Sequence, residues 1–158
     1  MNGSLDTIEL VVLDFDGVLT DNGVWVSQDG TESVRCDRSD GLGIAALGHA
    51  GIPVIVLSTE TNPVVAARCQ KLGIPCMQGA SDKGSTLRDL LAERGLDAEH
   101  VAYIGNDVND LGCLELVGLP VAVADAYPEV LKVATLVLSR PGGHGAVREF
   151  CDLLLAAR

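Results

Sequence analysis

The feature that most restricts the fold of this chain is its alternation of short apolar runs with segments of helical spacing. Ile8 to Leu13, Pro53 to Leu57, Ile74 to Met77, Val101 to Ile104, Pro120 to Val123 and Thr135 to Leu138 are short and mostly apolar. Such runs, bounded by turn residues, read as buried strands. Between them, Asp40 to Ala50, Pro63 to Leu72, Asp82 to Arg94, Asp107 to Val117, Tyr127 to Val133 and Ala146 to Ala157 read as helices. Asn62 before Pro63, and Ser81 before Asp82, supply starts; Gly51, Gly73 and Gly95 supply stops. Strand and helix in turn predict an α/β fold: a doubly wound, mostly parallel, Rossmann-like sheet covered on both faces. One segment departs from the alternation. Val24 to Val26 and Ser33 to Arg35 flank Gln28-Asp29-Gly30-Thr31, and Asp-Gly between β-prone segments predicts a hairpin after the first strand.

The chain has 158 residues, the size of one domain spanning 1–158, and 47% are hydrophobic, enough to build a core. Eleven Lys and Arg stand against 22 Asp and Glu, a net charge of -11. That balance speaks against nucleic acid and against anionic membranes as partners. It does not exclude an anionic substrate held through a bound cation. No apolar run approaches the roughly 20 residues that span a bilayer. Met1 to Glu9 lacks the basic-then-apolar pattern of a leader. Five scattered cysteines without a C-x-x-C pair read as free core thiols of a cytoplasmic protein.

Chemistry concentrates where strands end. The first strand runs directly into Asp14-Phe15-Asp16-Gly17-Val18-Leu19-Thr20. In open α/β sheets ligands bind outside the carboxyl ends of the strands. Asp14 and Asp16 are two residues apart and point the same way in extended backbone. Two carboxylates so close call for a cation or a shared proton between them. A solvated acidic turn accounts for Asp16-Gly17 but not for Asp14 against a buried strand. A second cluster, Gly105-Asn106-Asp107-Val108-Asn109-Asp110, follows the Val101 strand. Its simpler explanation is acids favoured at a helix N-terminus. Together, at two strand ends that the topology brings side by side, the clusters make an oxygen-rich site suited to Mg²⁺ and phosphate. Ser58 and Thr59 end the Val54 strand with a hydroxyl and backbone amides. A lone Lys is in most cases a surface residue, but Lys83 opens a helix, where a cation opposes the helix dipole, which makes a phosphate role more credible.

These motifs, in order over nearly the whole chain, resemble those of the haloacid dehalogenase superfamily of phosphatases. Asp40-Gly41-Leu42-Gly43-Ile44, Val101 to Gly105, Val121 to Ala126 and Gly142-Gly143-His144-Gly145-Ala146-Val147-Arg148-Glu149 are similar to the 3-deoxy-D-manno-octulosonate 8-phosphate phosphatase group. They are also similar to the phosphatase-type domain of acylneuraminate cytidylyltransferases, toward which Ser58-Thr59-Glu60 and Gly105-Asn106-Asp107 lean. The resemblance implies a phosphatase acting on a phosphorylated sugar acid. Asp14 would be the nucleophile that becomes an aspartyl phosphate, and Asp16 the general acid and then base. Ser58, Thr59 and Lys83 would hold the phosphoryl oxygens. Mg²⁺ would be bound by Asp14, the Asp16 carbonyl and the cluster of Asn106, Asp107 and Asp110.

Three departures from the family pattern bear on this. Asn106 replaces the usual Asp and removes one negative charge. Glu60 stands where the octulosonate phosphatases carry an Arg, and it would repel a sugar-acid carboxylate. His144 stands where Arg is frequent. The alternative function is a degenerate phosphatase fold serving assembly or regulation of a cytidylyltransferase. A signalling receiver domain is a weaker alternative, because Met77-Gln78-Gly79-Ala80 supplies no Asp directly after the third strand. About 35 residues before Ser58 and about 25 before Lys83 leave no room for a cap domain of roughly 50 residues. Apolar residues on the hairpin, Val24, Trp25 and Val26, predict a homotetramer built through it, as the resemblance implies.

Overall fold

The computed structural model describes residues 4–158, so part of the segment read for a leader, residues 1–3, lies outside it. The apolar runs form β1 (Leu10–Leu13), β4 (Val54–Leu57), β5 (Cys76–Met77), β6 (Val101–Gly105), β7 (Leu119–Ala122) and β8 (Leu136–Val137). They make one sheet in the order β5-β4-β1-β6-β7-β8, with every neighbouring pair parallel. The central strands β1, β4, β6 and β7 are buried throughout, as their unbroken apolar sequence requires. The chain extends the sheet outward from β1 through β4 and β5. It then returns to the other side of β1 for β6, β7 and β8. The order therefore reverses at β1, and a ligand crevice is expected at that switch point.

The helices are α1 (Arg38–His49), α2 (Pro63–Leu72), α3 (Lys83–Arg94), α4 (Leu111–Leu114), α5 (Pro128–Val133) and α6 (Ala146–Ala156). Helix α1 packs on α6, and α3 on α4. The expected Asn62 cap is present: its side chain accepts from the Val64 N–H at 3.0 Å. The α3 cap is Asp82 rather than Ser81, accepting from the Ser85 N–H at 3.0 Å. The helix expected over Asp107 to Val117 is broken into a 3₁₀ turn (Val108–Asp110) and the short α4. The cause is local: the Asp110 carboxylate turns back to bind the Asn106 and Asp107 N–H groups, which tightens the first turn.

The hairpin forms as β2 (Trp25–Val26) and β3 (Glu32–Ser33), a separate antiparallel ribbon with Trp25 opposite Ser33. Gly30, at φ 86°, makes the turn that Asp29-Gly30 announces. Val24, Trp25 and Val26 are 51%, 62% and 64% exposed. Between the first motif and Ser58 the chain builds only this ribbon, α1 and β4; between Ser58 and Lys83, only α2 and β5. No helix among the described residues is long and apolar enough to cross a membrane. Cys69, Cys113 and Cys151 are buried, Cys36 and Cys76 half-buried, and all five are free.

Asp40 joins α1 to α6. One oxygen accepts from the Arg148 N–H at 3.0 Å; the other is buried without a partner. Burial pushes this carboxyl up to about 6, against the pull of the Arg148 N–H. A carboxyl whose pKa rises on folding holds its proton more tightly in the native state. Its contribution to stability is therefore lost as pH rises through the window between the unfolded and folded values. Asp40→Asn removes that loss. In urea titrations with chelator, the variant is expected to gain about 2–3 kcal/mol on the parent between about pH 4 and 7. A difference that stays flat across that range would show that Asp40 carries no buried proton.

Candidate active site

The register of three strands builds the site. Leu13 lies opposite Val56 on β4 and opposite Ile104 on β6. The residues that follow these partners, Asp14 to Asp16, Ser58 and Asn106 to Asp110, therefore leave the sheet side by side. Lys83 reaches the same place from the start of α3. Asp14, Ser58, Lys83, Asn106 and Asp110 are all buried polar residues at this one edge, whereas Asp16 is half-buried.

Asp14 is held through one oxygen. Its Oδ1 accepts from the Phe15 N–H at 2.7 Å and from Lys83 Nζ at 2.7 Å. Lys83 also donates to Asp110 Oδ1 at 2.8 Å and lies 3.4 Å from the Tyr103 hydroxyl, which itself donates to Asp110 Oδ1 at 2.6 Å. Asp110 Oδ2 accepts from the Asn106 and Asp107 N–H groups at 2.9 and 3.2 Å. One cation thus serves two buried carboxylates. Burial raises the Asp14 carboxyl to about 7, Asp110 adds to the rise, and Lys83 opposes it. Burial works against the Lys83 ammonium, but Asp14 and Asp110 outweigh it and hold the lysine charged. The cluster is one positive charge short, which a bound cation would supply.

The second Asp14 oxygen faces the metal-binding residues expected from the sequence. One terminal atom of the Asn106 amide lies 3.0 Å from Asp14 Oδ2 and 3.0 Å from the Asp16 carbonyl oxygen. With the amide oxygen there, three oxygens converge with no proton between them. Their spacing is about that of adjacent ligands around a cation bound at ~2.1 Å. Gly17, at φ 84°, makes this possible, because a Cβ there would overlap the Asn106 amide. The donor set fits a hard divalent cation.

The structure narrows the expected ligand list. No three His, Cys, Asp or Glu side chains converge on a metal position among the described residues. Asp110 is not placed as a ligand, because both of its oxygens are taken by four donors. It supports the site from behind. Asp107 Oδ1 caps the following turn through the Val108 N–H at 2.7 Å. The remaining set is one carboxylate, one backbone carbonyl and one amide. Lys83 also differs from expectation: its ammonium is spent on carboxylates and reaches a phosphoryl group only beside Asp14. Ser58 is buried, and its Oγ accepts from the Glu60 N–H at 3.1 Å. Thr59 is exposed.

Two residues join the site without having been singled out in the sequence, Glu32 and Tyr103. Burial raises the Asp16 carboxyl, and Glu60 and Glu32 raise it further against Lys83. Glu32 belongs to β3 and is tied to the α2 cap by Asn62 Nδ2 at 2.7 Å. Tyr103 sits in a run read only as apolar, although a buried tyrosine needs a hydroxyl partner and could have been flagged for that. His144 is exposed on a glycine loop that packs on the first motif: Gly143 N–H donates to the Val18 carbonyl at 3.1 Å. A Cβ at Gly142 would overlap the Gly17 carbonyl, so only glycine lets the two loops meet.

Known proteins resemble this chain in sequence and in fold. The family model for haloacid dehalogenase-like hydrolases matches residues 61–149. The chain is 41% identical over 154 residues to the 3-deoxy-D-manno-octulosonate 8-phosphate phosphatase of Escherichia coli K12, covering 97% of this chain and 82% of that protein. A haloacid dehalogenase family hydrolase from Streptomyces avermitilis superposes with a TM-score of 0.94 at 49% identity, over 98% of this chain and 89% of that one. The octulosonate 8-phosphate phosphatase of Moraxella catarrhalis, solved with magnesium, phosphate and the sugar acid, also gives 0.94 at 34% identity, over 98% and 89%. A cobalt-bound relative from Haemophilus influenzae gives 0.92 at 40%, over 97% of this chain and 90% of that one. These names lend no support to the cytidylyltransferase resemblance. The sheet topology agrees with these relatives, and the chain belongs to the haloacid dehalogenase-like hydrolases, as a phosphatase.

Proposed function

We propose that this phosphatase hydrolyses the phosphomonoester of a sugar acid, of octulosonate or nonulosonate type, with Mg²⁺ and through an aspartyl phosphate. The observation that carries the reading is the clamping of Asp14: Lys83 and the Phe15 N–H on one oxygen, the Asp16 carbonyl and Asn106 beside the other. A carboxylate fixed in one rotamer at the mouth of the crevice is an oriented nucleophile. Asp14 attacks phosphorus as the phosphorus–oxygen bond to the sugar breaks. Asp16 gives its proton to the departing sugar oxygen, and its raised pKa keeps that proton available. Water then attacks the phosphoryl group while Asp16 takes its proton. The bond from phosphorus to Asp14 breaks, and inorganic phosphate leaves.

Asp14, the Asp16 carbonyl and Asn106 would hold Mg²⁺, which supplies charge for the phosphoryl oxygens. Ser58 and the amides around Thr59 bind those oxygens, and Lys83 offsets the charge of Asp14. Glu60 and Glu32 make the rim beside Asp16 acidic. They favour substrates that turn hydroxyl or amide groups, rather than the carboxylate, to that side. A screen of phosphorylated sugar acids for phosphate release, with Mg²⁺ and with chelator, tests the reading. Release from at least one of them only with Mg²⁺ is expected; release unaffected by chelator would overturn the metal role.

The same reading includes a homotetramer joined through the hairpins. Three consecutive exposed apolar residues on a two-stranded ribbon support it, since such a ribbon buries little by itself. Light scattering at micromolar concentration is expected to give about four times 16.5 kDa. Trp25→Lys is expected to return the mass to that of one chain. A parent protein that is already monomeric would sink the proposal.

A further inference from the structure

Asn106 is the position where the site departs from three acidic or carbonyl ligands. Its backbone is fixed at both ends. Its N–H donates to Asp110 Oδ2 at 2.9 Å, and its carbonyl accepts from the Tyr127 N–H at 2.8 Å. Its side chain is enclosed, 5% exposed, against the Cβ-free face of Gly17. What remains free is rotation of the planar amide about its last side-chain bond, which exchanges nitrogen for oxygen without changing its outline. With nitrogen inward, the amide donates to Asp14 Oδ2 and to the Asp16 carbonyl, each at 3.0 Å. Neither oxygen has another hydrogen-bond donor among the described residues. With oxygen inward, the same three atoms form a cation site. A carboxylate at this position could present only oxygen, and without a cation it would leave three oxygens in mutual repulsion.

We propose that Asn106 is a reversible latch: its amide nitrogen closes the metal site around Asp14 when no cation is bound, and a half-turn presents its oxygen when one arrives. The proposal rests on the divalent-cation reading above and adds a positioning role that an aspartate cannot perform. The latch keeps the nucleophile in its reactive rotamer in the metal-free protein. It also weakens metal binding, because two hydrogen bonds must be given up and one charge is missing.

The test reads stability, affinity and the amide itself, not turnover. In chelator at neutral pH, Asn106→Asp is expected to melt about 3–6 °C below the parent, through two lost hydrogen bonds and the added repulsion. In calorimetric titration with Mg²⁺, it is expected to bind at least about tenfold more tightly than the parent. Asn106→Ala is expected to share the lower melting point without the tighter binding. In asparagine-labelled parent protein, the side-chain NH₂ signals that vanish in Asn106→Asp should exchange slowly with water in chelator. Mg²⁺ should shift them and speed their exchange. Amide signals that exchange freely in chelator, or that ignore saturating Mg²⁺, overturn the latch even if a variant fails to fold. If Mg²⁺ binds Asp14→Asn as tightly as the parent, the divalent-site reading itself fails. If binding needs Asp14 but the Asn106 signals are indifferent to it, only the latch fails.

Discussion

Asp14→Asn is expected to reduce phosphate release by at least about 10⁴-fold while the protein remains folded. The amide has nearly the outline of the carboxylate, and its oxygen still accepts from Lys83 and the Phe15 N–H. In the proposed mechanism it lacks the oxyanion that would bond to phosphorus, and no neighbouring group would take that role: Asp110 is buried behind Lys83, and Asp16 would serve proton transfer. Removing a covalent nucleophile takes away the reaction path itself, which is why the loss exceeds the 10²–10⁴-fold of a missing proton donor. The substitution also removes one of two buried carboxylates that share a single cation. The melting temperature in chelator is therefore expected to hold or rise. Release of phosphate at near-parental rates, measured with any substrate the parent hydrolyses, would remove Asp14 from the mechanism.

Lys83→Met is expected to have the largest effect on stability. The lysine is 2% exposed and bridges Asp14 at 2.7 Å and Asp110 at 2.8 Å. Methionine fills much of the same volume but leaves two carboxylates facing each other in a buried place. Breaking a buried ion pair from one side costs about 3–5 kcal/mol. For a domain of this size, that lowers the melting temperature by about 10 °C at neutral pH in chelator. The sign of the pH dependence follows from the remaining acids. Without the cation that opposes its rise, Asp14 is expected to hold its proton at higher pH than before, so the deficit shrinks as the solution is acidified. Activity is expected to vanish with the lysine. A deficit under about 1 kcal/mol, or one that grows on acidification, would show that Lys83 does not neutralise this pair.

The sheet was legible because its central strands are buried on both faces. β1, β4, β6 and β7 carry no polar alternation, and their neighbours are helices with ordinary caps, so local pattern and tertiary position agree. The hairpin was equally plain, since Asp29-Gly30 supplies the turn that its geometry needs. The errors lie where a side chain overrules the local pattern. Asp107 to Val117 has helical spacing, yet Asp110 binds the amides before it and breaks the segment. Asp110 shows the limit of spacing, which reveals that a carboxylate is near but not that Lys83, Tyr103 and two backbone N–H groups already surround it. Tyr103 was hidden by its apolar neighbours, and Glu32 by its place on a hairpin far along the chain from Asp16.

By itself, the sequence determined the alternating fold, the strand ends that carry the chemistry, and the identity of Asp14, Asp16, Ser58 and Lys83 as the residues gathered there. These depend on period and on short motifs, which the chain carries locally. Only the tertiary structure decided how charge is shared: one lysine between Asp14 and Asp110, a tyrosine beneath them, and the Asn106 side chain placed beside the Asp16 carbonyl. Those are pairings between residues far apart in the chain, 69 positions for Lys83 and Asp14. They are set by the strand register and by burial, where Coulomb and desolvation terms grow as water is excluded, and no local spacing encodes them.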